Sequence, residues 1–135
     1  MSSALIGARR IAAVTGSRRL DYLRYTEPQK KFLSDSAPVT LLRGGNQIGK
    51  TLALHVDILH SARGTHPFQK CRRPPLNIVV LSESWEQMGQ AGGFMEKLWS
   101  LIPKGEIDPK TRYDPGRGIT GKPPRLVFVS GPGKG

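Results

Sequence analysis

Cysteine is nearly absent from this sequence, since Cys71 is the only one among 135 residues. A single cysteine excludes an intramolecular disulfide and is typical of proteins from a reducing compartment. No uninterrupted apolar run approaches the roughly 20 residues that a membrane-spanning helix needs. The apolar residues near the N-terminus are interrupted by Arg9 and Arg10, so no signal peptide is predicted. The sequence therefore predicts a cytoplasmic location and no membrane partner.

Acidic residues are also scarce, with 10 aspartates and glutamates against 21 lysines and arginines and a formal net charge of +11. An excess of this size points to a polyanionic partner. Nucleic acid is the first candidate, because the few phosphates of a nucleotide do not account for the excess. The alternatives are a solubilising surface charge, or a charge that an acidic region elsewhere balances.

The length is enough for one domain with a core of its own. Residues 1–24 carry five arginines against one acid, Asp21, and have weak periodicity. They are predicted to form a basic N-terminal arm, and residues 25–135 the domain. The arm, like the basic loop at 64–75, either contacts nucleic-acid phosphates or is only solvated.

The most informative stretch is TLLRGGNQIGKT at residues 40–51, which contains the spacing G-x-x-x-x-G-K-[ST] of a phosphate-binding loop. Its glycines permit a tight turn and bring backbone N–H groups close to phosphate oxygens. Lys50 can reach the β- and γ-phosphates and is the candidate catalytic residue, while the Thr51 hydroxyl is the expected Mg²⁺ ligand. The predicted nucleotide-binding residues of the loop are Gly44, Gly45, Asn46, Gln47, Ile48, Gly49, Lys50 and Thr51.

Such a loop functions between a strand and a helix. Residues 39–42 form a short apolar run that predicts a buried strand. From Leu52 to Ala62 apolar residues recur at helical spacing, and Gly64 provides a stop signal. The N-terminus of this helix would point at the phosphates, where its dipole favours an anion. The alternative is a glycine turn with an accidental lysine.

A second helix is predicted to begin near Thr26, with Pro28 in its first turn. Gln29 stands where a capping box requires a glutamine or glutamate. A glutamine just upstream of a phosphate loop can also offer the paired donor and acceptor that adenine recognises. The residues alone leave both roles of Gln29 open.

Two further strands are predicted at 76–81 and 125–130, the first near-continuously apolar, as strands of parallel sheets are. Ser84 opens a helix that continues to Ile102, weakened in its middle by the glycine pair at 92–93. Alternating strands and helices around a phosphate loop predict an α/β fold with a parallel sheet and flanking helices.

Several chemistries are not supported. His55 and His60 lie about 140° apart around a helix, so they cannot share one metal, and both are predicted to be partly exposed. Nucleotide hydrolysis needs an aspartate at a strand end for Mg²⁺ and a carboxylate that activates water. No predicted strand ends in such a pair, and Glu83 is better explained as a charge at a helix N-terminus. The sequence predicts nucleotide binding without a full hydrolytic set.

Three stretches together resemble the N-terminal ATPase part of the terminase large subunit of tailed bacteriophages, the motor that packages DNA into capsids. They are residues 28–33, residues 44–51, and residues 76–82 with the helix that follows. The resemblance implies a P-loop NTPase with an incomplete RecA-like parallel sheet, ATP and Mg²⁺ as cofactors, and Gln29 on the adenine. It also implies double-stranded DNA, the small terminase subunit and the portal protein as partners, in the cytoplasm of a bacterial host, with homo-oligomer formation left open for the complete protein.

The sequence departs from that family in two ways. Many terminases carry an arginine inside the loop, where this chain has Asn46, Gln47 and Ile48. The Walker B aspartate, the catalytic glutamate and the nuclease would follow residue 135 in the family. The chain is therefore expected to supply ATP binding but not complete hydrolysis. The alternative is a non-enzymatic, basic nucleic-acid-binding protein whose phosphate loop is vestigial.

Overall fold

The computed structural model describes residues 19–44, 49–68 and 76–130. Most of the predicted arm, the loop residues Gly45, Asn46, Gln47 and Ile48, and the basic residues at 69–75 lie outside the described residues. The regular elements in chain order are a 3-10 turn at Arg19–Tyr22, helices α1 (Glu27–Ser34), α2 (Lys50–Arg63), α3 (Trp85–Gly89) and α4 (Phe94–Leu101), a 3-10 turn at Lys104–Glu106, and strands β1 (Tyr113–Asp114) and β2 (Gly118–Ile119).

The predicted parallel sheet, and with it the α/β RecA-like fold class, is wrong. Within the described ranges the protein is mostly helical, and the one sheet is the antiparallel hairpin of β1 and β2. Neither 39–42 nor 76–81 forms a strand there, and their apolar side chains are largely in solvent, with Val39 86% and Leu81 88% exposed. Strand-favouring residues adopt that state only where a neighbouring strand pairs with the backbone and buries the side chains.

The third predicted strand, 125–130, contributes to the core in a different way. Phe128 forms a single antiparallel bridge with Ile107, and its side chain is buried. Beside the bridge, the N–H of Asp108 donates to the carbonyl of Val127 at 2.9 Å. The segment is thus antiparallel to a neighbour only some 20 residues away in sequence, where the prediction required a parallel partner.

The predicted helices are confirmed, with one interruption. Helix α1 begins after Thr26, and α2 ends at Gly64, whose positive φ of 68° is the left-handed conformation that favours glycine. The predicted long helix after Ser84 is broken into α3 and α4 at Gly92 and Gly93. Two adjacent glycines make the helical state there costly, so the chain turns instead of continuing.

Helix α2 is the centre of the fold, because it packs against both α1 and α4. Val56 and Leu59 on its inner face are fully buried. Within the described ranges, no helix has both the length and the apolar character needed to cross a membrane. The buried core cluster consists of Leu20, Leu33, Val56, Leu59, Leu98, Leu101, Ile102, Ile107 and Phe128.

Candidate functional site

The N-terminus of α2 is where the described loop residues meet. Gly49 has a φ of 78° and immediately precedes the helix, so Lys50 and Thr51 are its first two residues. The Lys50 Nζ donates a hydrogen bond to the carbonyl of Gly44, which brings the two ends of the loop together. The first N–H groups of a helix have no intrahelical partner, and they concentrate positive potential at this point.

The Gln29 side chain connects α1 to the N-terminus of α2. Its side chain is only 5% exposed. Its Oε1 accepts from the Thr26 N–H at 2.9 Å, and its Nε2 donates to the Gly49 carbonyl at 3.1 Å. The Thr26 bond confirms the capping role of Gln29, and its adenine role stays a prediction.

A side chain at position 49 would displace the Gln29 amide from this contact. A Cβ atom on residue 49 would lie 2.2 Å from the Gln29 Nε2, far inside van der Waals contact. The positive φ is a second constraint that other residues meet only with strain. The glycine that the motif demands for phosphate approach therefore also serves the packing of α1 on α2.

We expect Gln29→Glu to lower the free energy of unfolding by about 1–3 kcal/mol. A glutamate can still accept from the Thr26 N–H, but it places a carboxylate oxygen where the Nε2 donates to the Gly49 carbonyl. Urea unfolding near neutral pH measures the change, with exposed Lys31→Gln on the same helix as the control. Equal stability of Gln29→Glu and Lys31→Gln would show that the contact with Gly49 contributes nothing.

The prediction that His55 and His60 are partly exposed is wrong, because α2 is covered on more than one side. His55 is fully buried, and its ring lies 4.2 Å from that of Phe94 between centroids. Neither ring nitrogen of His55 makes a well-formed hydrogen bond to the described residues, and burial lowers the pKa of His55 to about 4. His60 Nδ1 lies 2.9 Å from the Thr65 hydroxyl, and burial lowers its pKa as well.

At the other end of α2, Arg63 forms an ion cluster that the sequence analysis missed. Its Nε and Nη2 donate to the two carboxylate oxygens of Glu106 at 2.8 and 2.9 Å, and its Nη1 donates to Asp21 at 3.1 Å. Burial disfavours its charge, but the bonds to Glu106 and Asp21 outweigh this and raise the pKa of Arg63. Glu106 and Asp21 both lie more than 40 residues from Arg63 in the sequence. The only hint of the cluster in the sequence is that Asp21 is the single acid of the basic arm.

A second polar pair closes the turn after α2. His66 Nε2 lies 3.0 Å from the Asp57 carboxylate, and the Phe68 N–H donates to His66 Nδ1 at 3.2 Å. Because Nδ1 is an acceptor here, we assign the proton of the neutral ring to Nε2, which then donates to Asp57. The pair holds the turn against the helix and gives it a structural role.

The other candidate residues are placed less specifically. Thr51 and Arg43 are exposed beside the loop, and Glu83 is exposed before α3. The structure thus brings Gln29 close to Gly49, and Lys50 close to Gly44. Loop residues 45–48 lie outside the described residues. In the part of the chain that the structure describes, no group of three or more histidine, cysteine, aspartate or glutamate side chains is arranged to hold a metal ion.

Three comparisons with known proteins found no match. The sequence matches no family model, and neither the curated proteins nor the solved structures yield a match.

Proposed function

We propose that this chain is the ATP-binding part of a DNA-packaging terminase large subunit, with the phosphates of Mg-ATP held at the N-terminus of α2. The observation that carries the proposal is the hydrogen bond from the Lys50 Nζ to the Gly44 carbonyl, which joins the two described ends of the loop. Lys50 is the first residue of α2, and the residue before it, Gly49, has the left-handed conformation. The spacing of the motif and the resemblance of residues 28–33 support the same assignment.

The chemistry of this end of α2 suits a phosphate chain. The Lys50 ammonium would exchange the Gly44 carbonyl for β- and γ-phosphate oxygens, while the backbone N–H groups of the first turn donate to the same anion. The Thr51 hydroxyl would supply one oxygen ligand to Mg²⁺. In the intact enzyme, hydrolysis would be coupled to translocation of double-stranded DNA.

A second candidate is a non-enzymatic, basic nucleic-acid-binding protein with a vestigial loop. The observation that favours it is the absence of a parallel sheet from the described ranges. A phosphate loop is normally held between a buried strand and a helix, and residues 39–42 do not provide that strand here. If the second candidate is right, the affinity for DNA falls steeply as the salt concentration rises. Neither added ATP nor the Lys50→Ala substitution then changes that affinity.

Calorimetric titration of Mg-ATP into the purified chain separates the two candidates. We expect binding by the wild type and by Lys31→Ala, an exposed lysine of α1 that serves as the matched control. Lys50→Ala should bind roughly ten- to a hundredfold more weakly, because it loses charge-assisted bonds to the phosphates. No binding by a wild-type sample with intact helix content in circular dichroism would refute the proposal and leave the second candidate.

A further inference from the structure

The segment 110–125, here called the basic hairpin, is a strongly positive part of the described surface. It consists of β1, β2 and the turns on either side of them. Asp114 is its one acid. Its five cations, all exposed, are Lys110, Arg112, Arg117, Lys122 and Arg125.

The basic hairpin is fixed to the body of the protein through its other side chains. Ile119 is buried, and its N–H points at the Met95 Sδ at 3.4 Å. The Tyr113 ring stacks on Trp99 with 5.4 Å between centroids and 12° between planes. The apolar and aromatic residues thus anchor the hairpin on α4, and the cations are left to solvent.

The cations of the basic hairpin have no close counter-charge within the part of the chain that the structure describes. None of its five cations forms an ion pair there, whereas Arg63 and Lys30 both do. Like charges on one short segment repel each other, and a polyanion relieves that repulsion.

We propose that the basic hairpin binds the phosphate backbone of double-stranded DNA. The inference rests on the proposed function and adds to it the surface that DNA occupies. Single-stranded nucleic acid is bound by aromatic rings on which bases stack, but the Tyr113 ring is already stacked on Trp99. A membrane surface would need exposed large apolar side chains, and residues 110–125 have none.

Fluorescence anisotropy of a labelled duplex with the full chain, repeated over a salt series, tests the inference. The test variant is Arg112→Gln/Arg117→Gln/Lys122→Gln. The control, Lys30→Gln/Lys31→Gln/Lys97→Gln, removes the same charge from α1 and α4. We expect the test variant to bind at least roughly tenfold more weakly at low salt and to reduce the slope of log K against log salt by about 2–3. The control should weaken binding by less than about threefold.

Each other outcome overturns a specific statement. Equal losses in the test and control variants would show a general charge effect and refute the basic hairpin as the binding surface. Tighter binding of a single strand of the same length would refute the duplex. A wild type that binds Mg-ATP but no duplex would overturn this inference and leave nucleotide binding standing. Hairpin-dependent DNA binding without any ATP binding would overturn the proposed function alone.

Discussion

Replacing Arg63 by alanine is expected to lower the free energy of unfolding by about 3–5 kcal/mol. The Arg63 side chain is 6% exposed, and it makes two bonds to Glu106 and one to Asp21. Without the guanidinium, two carboxylates remain near each other in partly buried positions and lack a counter-charge. The change is measured by urea unfolding of the wild type and the variant at neutral pH.

Two controls separate this effect from lost packing. Lys30→Ala removes an exposed pair with Glu27 and should cost less than about 1 kcal/mol. Arg63→Met combined with Asp21→Asn and Glu106→Gln removes all three charges and should recover much of the loss, because no buried charge is left unpaired. If Arg63→Ala cost no more than Lys30→Ala, the ion cluster would not contribute to stability.

Acidification is expected to destabilise the protein through His55. Burial, with a smaller contribution from nearby Lys97, lowers the pKa of His55 from 6.5 to about 4, so in that interval the unfolded chain binds a proton that the folded chain excludes. The stability that neutral His55 contributes is therefore complete above pH 6.5 and is lost as the pH falls towards 4. We expect a loss of roughly 2–3 kcal/mol across this window.

The variant His55→Leu isolates this contribution. Leucine keeps the site apolar and close in volume, so the variant should unfold with a weaker dependence on pH than the wild type. Some dependence remains, because the pKa of His60 is also lowered by burial. Urea unfolding at several pH values between about 7 and 4 gives both curves. Parallel curves for His55→Leu and the wild type would mean that folding does not lower the pKa of His55.

The helices and part of the candidate site could be predicted because their signals are local. Thr26 with Gln29 marks the start of α1, and Gly64 ends α2. The glycine pair at 92–93 marked the weak point of the following helix, but the full break there was not predicted. The loop spacing likewise placed Gly49 immediately before the first turn of α2. Each of these signals acts through bonds or steric limits within about four residues, which a single stretch of sequence contains.

The sheet could not be predicted in the same way. Residues 39–42 and 76–81 have the composition of buried strands, yet in the described ranges they pair with no neighbour and leave Val79 80% exposed. Composition records how well a residue fits a sheet, but the sheet itself exists only where a second segment supplies the hydrogen bonds.

By itself, then, the sequence determined where α1 begins and α2 ends, the phosphate-loop spacing and the excess of positive charge. Only the tertiary structure decided that Gln29 bonds Gly49 across 20 residues, that His55 is buried and neutral, and that Arg63 holds Asp21 and Glu106. The physical reason is the range of the interactions. Helix signals are satisfied by near neighbours, whereas burial, ion pairing and strand pairing depend on segments that meet only when the chain has folded.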